Sequence, residues 1–274
     1  MRFLKNSFNF YLDASIHVAL AVVCLMGATS ILLNIPMNFF LIGFTFFGTV
    51  VCYNFIKYGV EAKKYLIVSN IYHKNIQVFS FLCFAGALYF WFGLDKKIWT
   101  AILVLVLISM LYAIPFLPKA KNLRSLGGFK IVTVALVWTG FTVLLPILEA
   151  QLPFNWDFWV TAMQRFILVL ILLLPFEIRD LQWDEKDLKT LPQVLGVRKT
   201  KKLGVLLTLL FFALTFLKDD IPQIEYTMRL ILCVVLVLLF LSKRNFKAKY
   251  LASFWVEGIP IFWYGLFLVG NRLF

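Results

Sequence analysis

The chain has 274 residues, of which 62% are hydrophobic and 15% charged, and a mean hydropathy of +0.87. Soluble domains carry about 25% charged and 45–50% apolar residues, so this composition excludes a water-soluble globular enzyme, and the 18% aromatic content excludes a disordered chain. Lys and Arg outnumber Asp and Glu by 27 to 14, an excess that the basic cytoplasmic loops of a membrane protein explain without any nucleic acid partner.

A helix that crosses a bilayer needs about 20 mostly apolar residues. In chain order such stretches cover 14–33, 38–56, 76–94, 98–117, 129–148, 158–176, 203–217, 226–242 and 251–270, which predicts nine spans. The first has too long an apolar core for a signal peptide, and no small-residue cleavage pattern follows it. The seventh has fifteen residues, so it either meets a locally thinned bilayer or recruits flanking residues. The loops on alternate sides hold 21 and 5 Lys and Arg residues, with Arg165 inside a span. That asymmetry predicts a cytoplasmic N-terminus and an external C-terminus. Cys24, Cys52, Cys83 and Cys233 all sit in apolar runs without paired spacing, where they serve as small hydrophobes rather than disulfide or zinc partners. No linker or low-complexity tract interrupts the chain, so residues 1–274 read as one all-α membrane domain, in a bacterial cytoplasmic membrane.

The loop after the sixth span departs from the purely basic pattern of the others. Between Glu177 and Asp187 lie five of the fourteen carboxylates, and Asp180, Asp184 and Asp187 recur at i, i+4 and i+7, one stripe of a helix. Such a stripe is either a solvated helix end, neutralised by Arg179, Lys186 and Lys189, or a holder of a cation. Hard oxygen donors suit Mg²⁺, which binds through one or two carboxylates together with substrate phosphates. Lys189, and Lys119, Arg124 and Lys130 before the fifth span, could close over phosphates or simply mark the cytoplasmic side.

The run Arg179 to Gly196, R-D-L-Q-W-D-E-K-D-L-K-T-L-P-Q-V-L-G, resembles the second aspartate motif of the UbiA superfamily of intramembrane prenyltransferases. Asp180 and Asp184 match its core aspartates, and Asp187 falls near a third. Leu111 to Lys119, with Tyr112, Pro115 and Lys119, resembles the tyrosine-proline-lysine loop of the same family. The resemblance implies nine helices around a cavity that opens to lipid, where a polyprenyl diphosphate ionises and a hydrophobic acceptor captures the prenyl group. It implies Asp180 and Asp184 as catalytic metal ligands, with Asp187 as a third, and Asn54, Lys57, Tyr112, Lys119, Arg124, Lys130, Arg179 and Lys189 around the substrate. The family's first motif, N-D-x-x-D-x-x-x-D, survives only at Asn54; its aspartate positions hold Phe55, Tyr58 and Ala62, with Glu61 one place early. One Mg²⁺ at most is then expected in place of two, with Lys57 taking over part of the charge.

Three further ionisable residues fall inside spans, where such groups are functional candidates. His17 is expected to be a hydrogen-bonded structural residue or a lining of the acceptor pocket. Glu257 is expected on the lower cavity wall, facing Lys130 or the substrate. Arg165 belongs to the outer half, in packing or snorkelling. A non-catalytic isoprenoid-binding relative is the alternative reading. A transporter is disfavoured, because the carboxylates gather at one face rather than near the midplane.

Overall fold

Hydrocarbon offers no partner to a backbone N–H or C=O, so a chain surrounded by lipid must satisfy them within its own helices. A computed structural model of the chain describes residues 2–60, 70–114, 128–184, 188–242, 246 and 248–273; these are helices and short connections, with no strand among them. Helix α1 (Arg2–Asp13) meets α2 (Ile16–Leu32) at 59°. The corner is Ser15, a buried non-glycine residue with φ of 60°, in the left-handed region that side chains seldom adopt. Helix α3 (Phe39–Asn54) runs on as a π-helical segment, Phe55–Val60, and α4 (Ile71–Phe92) and α5 (Lys96–Ala113) follow. Helix α6 (Phe129–Thr139) passes through a second π-helical segment, Gly140–Leu144, into α7 (Leu145–Glu149). Then come α8 (Trp156–Asp180), the short α9 (Leu191–Leu195), α10 (Val197–Ala213) and α11 (Gln223–Leu241). A third π-helical segment, Leu251–Val256, leads into α12 (Ile259–Leu273).

Among the described residues eight helices are each long and apolar enough to cross a membrane, and the bent α1–α2 pair supplies a ninth span. The seventh span resolves the choice left by its short apolar stretch. It covers Val197–Leu217, 21 residues, by recruiting Arg198, Lys199, Lys201 and Lys202 into its first two turns. Gly196 makes its entry possible, since φ of 77° there suits a residue without a Cβ.

Helix α8 is the axis of the bundle. Two thirds of its most apolar window (67%) is buried, against 17% for α4, which faces outward. Leu168, Ile171, Leu172 and Leu174 of α8 pack with Val22 and Leu25 of α2, Ala135 of α6, Leu232 and Leu236 of α11, and Trp263 and Phe267 of α12. Close approach is secured at Gly27, where a Cβ would stand 2.5 Å from the Tyr264 ring, and at Gly204, where it would stand 2.6 Å from Phe240.

Two polar assemblies lie inside this apolar frame. In the outer half, Glu225 Oε1 accepts from Lys218 Nζ at 2.8 Å and from Arg229 Nη2 at 2.7 Å. Arg229 Nη1 also donates to Gln164 Oε1 and, at 3.3 Å, to Thr215 Oγ1. Lys218, Glu225, Arg229 and Gln164 are all buried. Lys218 thus lies in the connection before α11 yet is buried, and Arg229 is buried within α11, so both face the interior of the bundle. Arg165, also buried, turns inward to Leu25 O at 2.7 Å and Thr29 Oγ1 at 3.0 Å; it packs and does not snorkel. At the opposite end, Asn54 Nδ2 donates to Ala14 O at 3.1 Å and Ser80 Oγ at 2.9 Å, joining α3 to the α1–α2 corner and to α4.

Removing one member of a buried charge pair leaves the other unpaired, so Glu225→Ala should destabilise the protein by about 3–5 kcal/mol, measured as denaturant unfolding in detergent. Asn54→Ala should cost about 1–3 kcal/mol through its lost interior hydrogen bonds, while the affinity of any cavity ligand changes less than twofold. A stability unchanged by Glu225→Ala, or a ligand affinity that collapses in folded Asn54→Ala, would contradict these assignments.

Candidate functional site

A cavity of about 500 Å³ opens between α1, α3, α5, α6, α8 and α12. Along α8 its lining runs from Val169 to Asp180, about 16 Å at 1.5 Å per residue. One end is apolar, with Val134, Val137, Val169 and Leu172, and an aromatic wall of Tyr53, Tyr112 and Trp138. Trp138 Nε1 donates to Tyr53 Oη at 2.9 Å, which fixes both rings. The other end gathers Asp13, Lys57, Lys130, Glu177, Arg179, Asp180, Lys249 and Glu257. Such a division suits an amphiphile with a charged head and an apolar tail.

The charged end is built from α8 outward. Glu177, Arg179 and Asp180 occupy its last turn, where the chain leaves the apolar core. Lys130, one residue into α6, reaches Glu177 Oε1 at 2.9 Å, and Glu177 is 3% exposed. Arg179 clasps its neighbour through both carboxylate oxygens, Nε to Asp180 Oδ1 at 2.7 Å and Nη2 to Asp180 Oδ2 at 3.2 Å. The same guanidinium stands 5.0 Å above the Phe176 ring. Across the cavity, Asp13 Oδ2 accepts from Tyr72 Oη at 2.8 Å, and Tyr58 Oη donates to Asp13 O at 3.0 Å. Glu257 lies within electrostatic reach of Lys57 and Arg179. Two of the π-helical segments border the cavity, one carrying Lys57 and the other Ser253 just before Glu257. Wide turns of this kind are rare and recur at functional sites.

Of the residues expected at a site, Lys57, Tyr112, Lys130, Arg179 and Asp180 line this one cavity. Asn54 does not line it; its amide is spent on the hydrogen bonds that join three helices. Tyr58, at a position where the family motif has aspartate, likewise ties α3 to the chain at Asp13. Lys189 is exposed, with φ of 51°, and stands outside the lining. Lys119, Arg124 and Asp187 lie outside the described residues. Asp184 follows α8 by one further turn, its N–H bonded to Asp180 O at 2.9 Å, within electrostatic reach of Lys130 and Glu177.

Glu257 does line the cavity wall, yet Lys130 pairs with Glu177 and not with Glu257. His17 is structural: Tyr11 Oη donates to Nδ1 at 2.7 Å, and Nε2, which must then carry the proton, donates to Phe254 O at 2.9 Å. Glu177, Asp13 and Lys249 were not singled out by sequence. For Glu177 a signal existed, its place one helical turn before Asp180. The other two carry none.

The expected magnesium ligands can be tested against this geometry. Of these, Asp180 is clasped by Arg179, so a metal there would have to displace a tethered cation, and Asp187 lies outside the described residues; Glu177, one turn before Asp180, is likewise held by Lys130. No group of three His, Cys, Asp or Glu side chains among the described residues is arranged to hold a metal ion. Among the described residues, the two carboxylates at the end of α8 that line the cavity, Glu177 and Asp180, are thus committed to side-chain cations rather than open to a magnesium ion.

No protein-family model and no curated protein matches the sequence. Solved structures do, and those matched are of a UbiA homologue from Archaeoglobus fulgidus. Its Cd²⁺-bound form superposes with a TM-score of 0.63 at 13% identity, over 95% of this chain and 99% of that one. The form bound to GPP and Mg²⁺ gives 0.60 at 13% identity, over 96% and 99%. The form bound to DMAPP and Mg²⁺ gives 0.59 at 12% identity, over 96% and 99%. At such identities the likeness concerns architecture, and nearly end to end this chain has the UbiA-like all-helical membrane fold.

Proposed function

We propose that the cavity binds an isoprenyl diphosphate and that the protein transfers the isoprenyl group to a hydrophobic acceptor at the cytoplasmic face of a bacterial membrane. The observation that carries this reading is one cavity whose rim brings together Lys57, Lys130, Arg179 and Lys249, set among carboxylates, and whose interior is apolar and aromatic. A diphosphate needs the first and a prenyl tail the second. The relatives of the same fold bound to GPP and DMAPP support it, as does the 21-to-5 distribution of basic residues for the orientation.

In this reading the ammonium and guanidinium groups hold the diphosphate and stabilise the charge that grows on it as the allylic C–O bond breaks and its electron pair leaves with the oxygen. The allylic cation left behind faces Tyr53, Tyr112 and Trp138, whose ring faces attract positive charge. A nucleophilic carbon or oxygen of the acceptor closes the new bond, and its proton passes to a cavity carboxylate, for which Glu257 on the opposite wall is the candidate. Exclusion of water by the apolar end keeps the cation from hydrolysis.

Geranyl thiodiphosphate, which does not ionise readily, should raise the unfolding temperature of the purified protein, and inorganic diphosphate alone should raise it far less. Lys57→Met should weaken the thiodiphosphate effect about tenfold, the loss of one charge-assisted contact. Mass spectrometry of lipids from cells with and without the protein should show a prenylated species that disappears. Stabilisation with an unchanged lipid profile would leave a non-catalytic isoprenoid-binding protein, and no stabilisation would reject the diphosphate altogether.

A further inference from the structure

Resting on the diphosphate reading above, we propose that this site neutralises its anion with tethered side-chain cations and needs no divalent metal. A metal-assembled site keeps its carboxylates for the ion. Here three of the four carboxylates in the cavity lining serve protein groups instead. Glu177 holds Lys130 at 2.9 Å, Asp180 holds Arg179 at 2.7 and 3.2 Å, and Asp13 accepts from Tyr72 at 2.8 Å.

The charge arithmetic agrees. Among the described residues the cavity is lined by four cations, Lys57, Lys130, Arg179 and Lys249, and by four carboxylates. Four positive charges equal two divalent ions, so a diphosphate meets the same formal charge that two metals on four carboxylates would present. The cations also keep hydrogens to give. A guanidinium has five N–H donors and an ammonium three, and the pairing with Asp180 uses two of Arg179's while that with Glu177 uses one of Lys130's. Asp180, at a position where the motif would have a metal ligand, and Glu177, one turn before it, are then positioning residues that aim these donors. The π-helical turn at Phe55–Val60 carries Lys57 to the same cavity from the segment whose aspartates are replaced.

The test is the affinity of the intact purified protein for geranyl thiodiphosphate, measured by calorimetry in excess EDTA and again in excess Mg²⁺. Affinities within fivefold of each other support the inference, and a larger loss in EDTA overturns it while sparing the diphosphate reading. No binding under either condition rejects that reading and this inference with it. Arg179→Gln, at a side chain 29% exposed and paired with one 27% exposed, should fold and bind at least tenfold more weakly in EDTA. Unchanged affinity of this variant in EDTA would also overturn the inference.

Discussion

A charged side chain enclosed by an apolar bundle in lipid must bring its own partner, because no water is there to solvate it. Helix α8 shows how this constraint shapes the molecule. Its outer half carries Gln164 and Arg165, each bonded to neighbouring helices, and its inner end carries Glu177, Arg179 and Asp180, each held by a cation or an anion. Between them lies an unbroken apolar stretch from Phe166 to Phe176 that fills the core. The polar ends set where the neighbouring helices must dock, and the apolar middle supplies the contact area that holds them there.

The cavity lies at the inner end of this arrangement. The outer assembly of Lys218, Glu225, Arg229 and Gln164 is closed around itself. The inner one is open, its charges spread over the rim of a space whose depth is apolar and aromatic. The same kind of ion pair thus serves two ends differently: packed, it fixes helix positions, and at the edge of a void it presents charge to whatever enters.

Much of the fold was legible in the sequence. Nine apolar stretches correspond to eight helices and one bent pair, since hydrophobicity over twenty residues is a strong signal. The failures have a common cause. Hydropathy treats charge as a boundary, so Arg198, Lys199, Lys201 and Lys202 hid the first turns of α10, and Glu225 fell outside the predicted span although it lies inside α11. For the site, the acidic run from Glu177 onward was visible, and its first members, Glu177 and Asp180, line the cavity. The partner of Glu177 was not, because Lys130 is distant in sequence and no local spacing links the two. Asn54, the surviving residue of the first motif, and Tyr58, at one of its replaced aspartate positions, both tie segments of the chain together, a role that leaves no mark in one sequence.

The π-helical turns have a consequence for how such chains are compared. Each wide turn takes in an extra residue, and one residue corresponds to about 100° around a helix of 3.6 residues per turn. Side chains beyond Phe55–Val60, Gly140–Leu144 and Leu251–Val256 are therefore out of phase with those of an uninterrupted α-helix. Equal spacing in two sequences then ceases to mean the same direction in space, and correspondence can be regained only by a one-residue slip inside a helix. A motif written as fixed intervals loses its meaning across such a turn, even where the backbones continue to superpose.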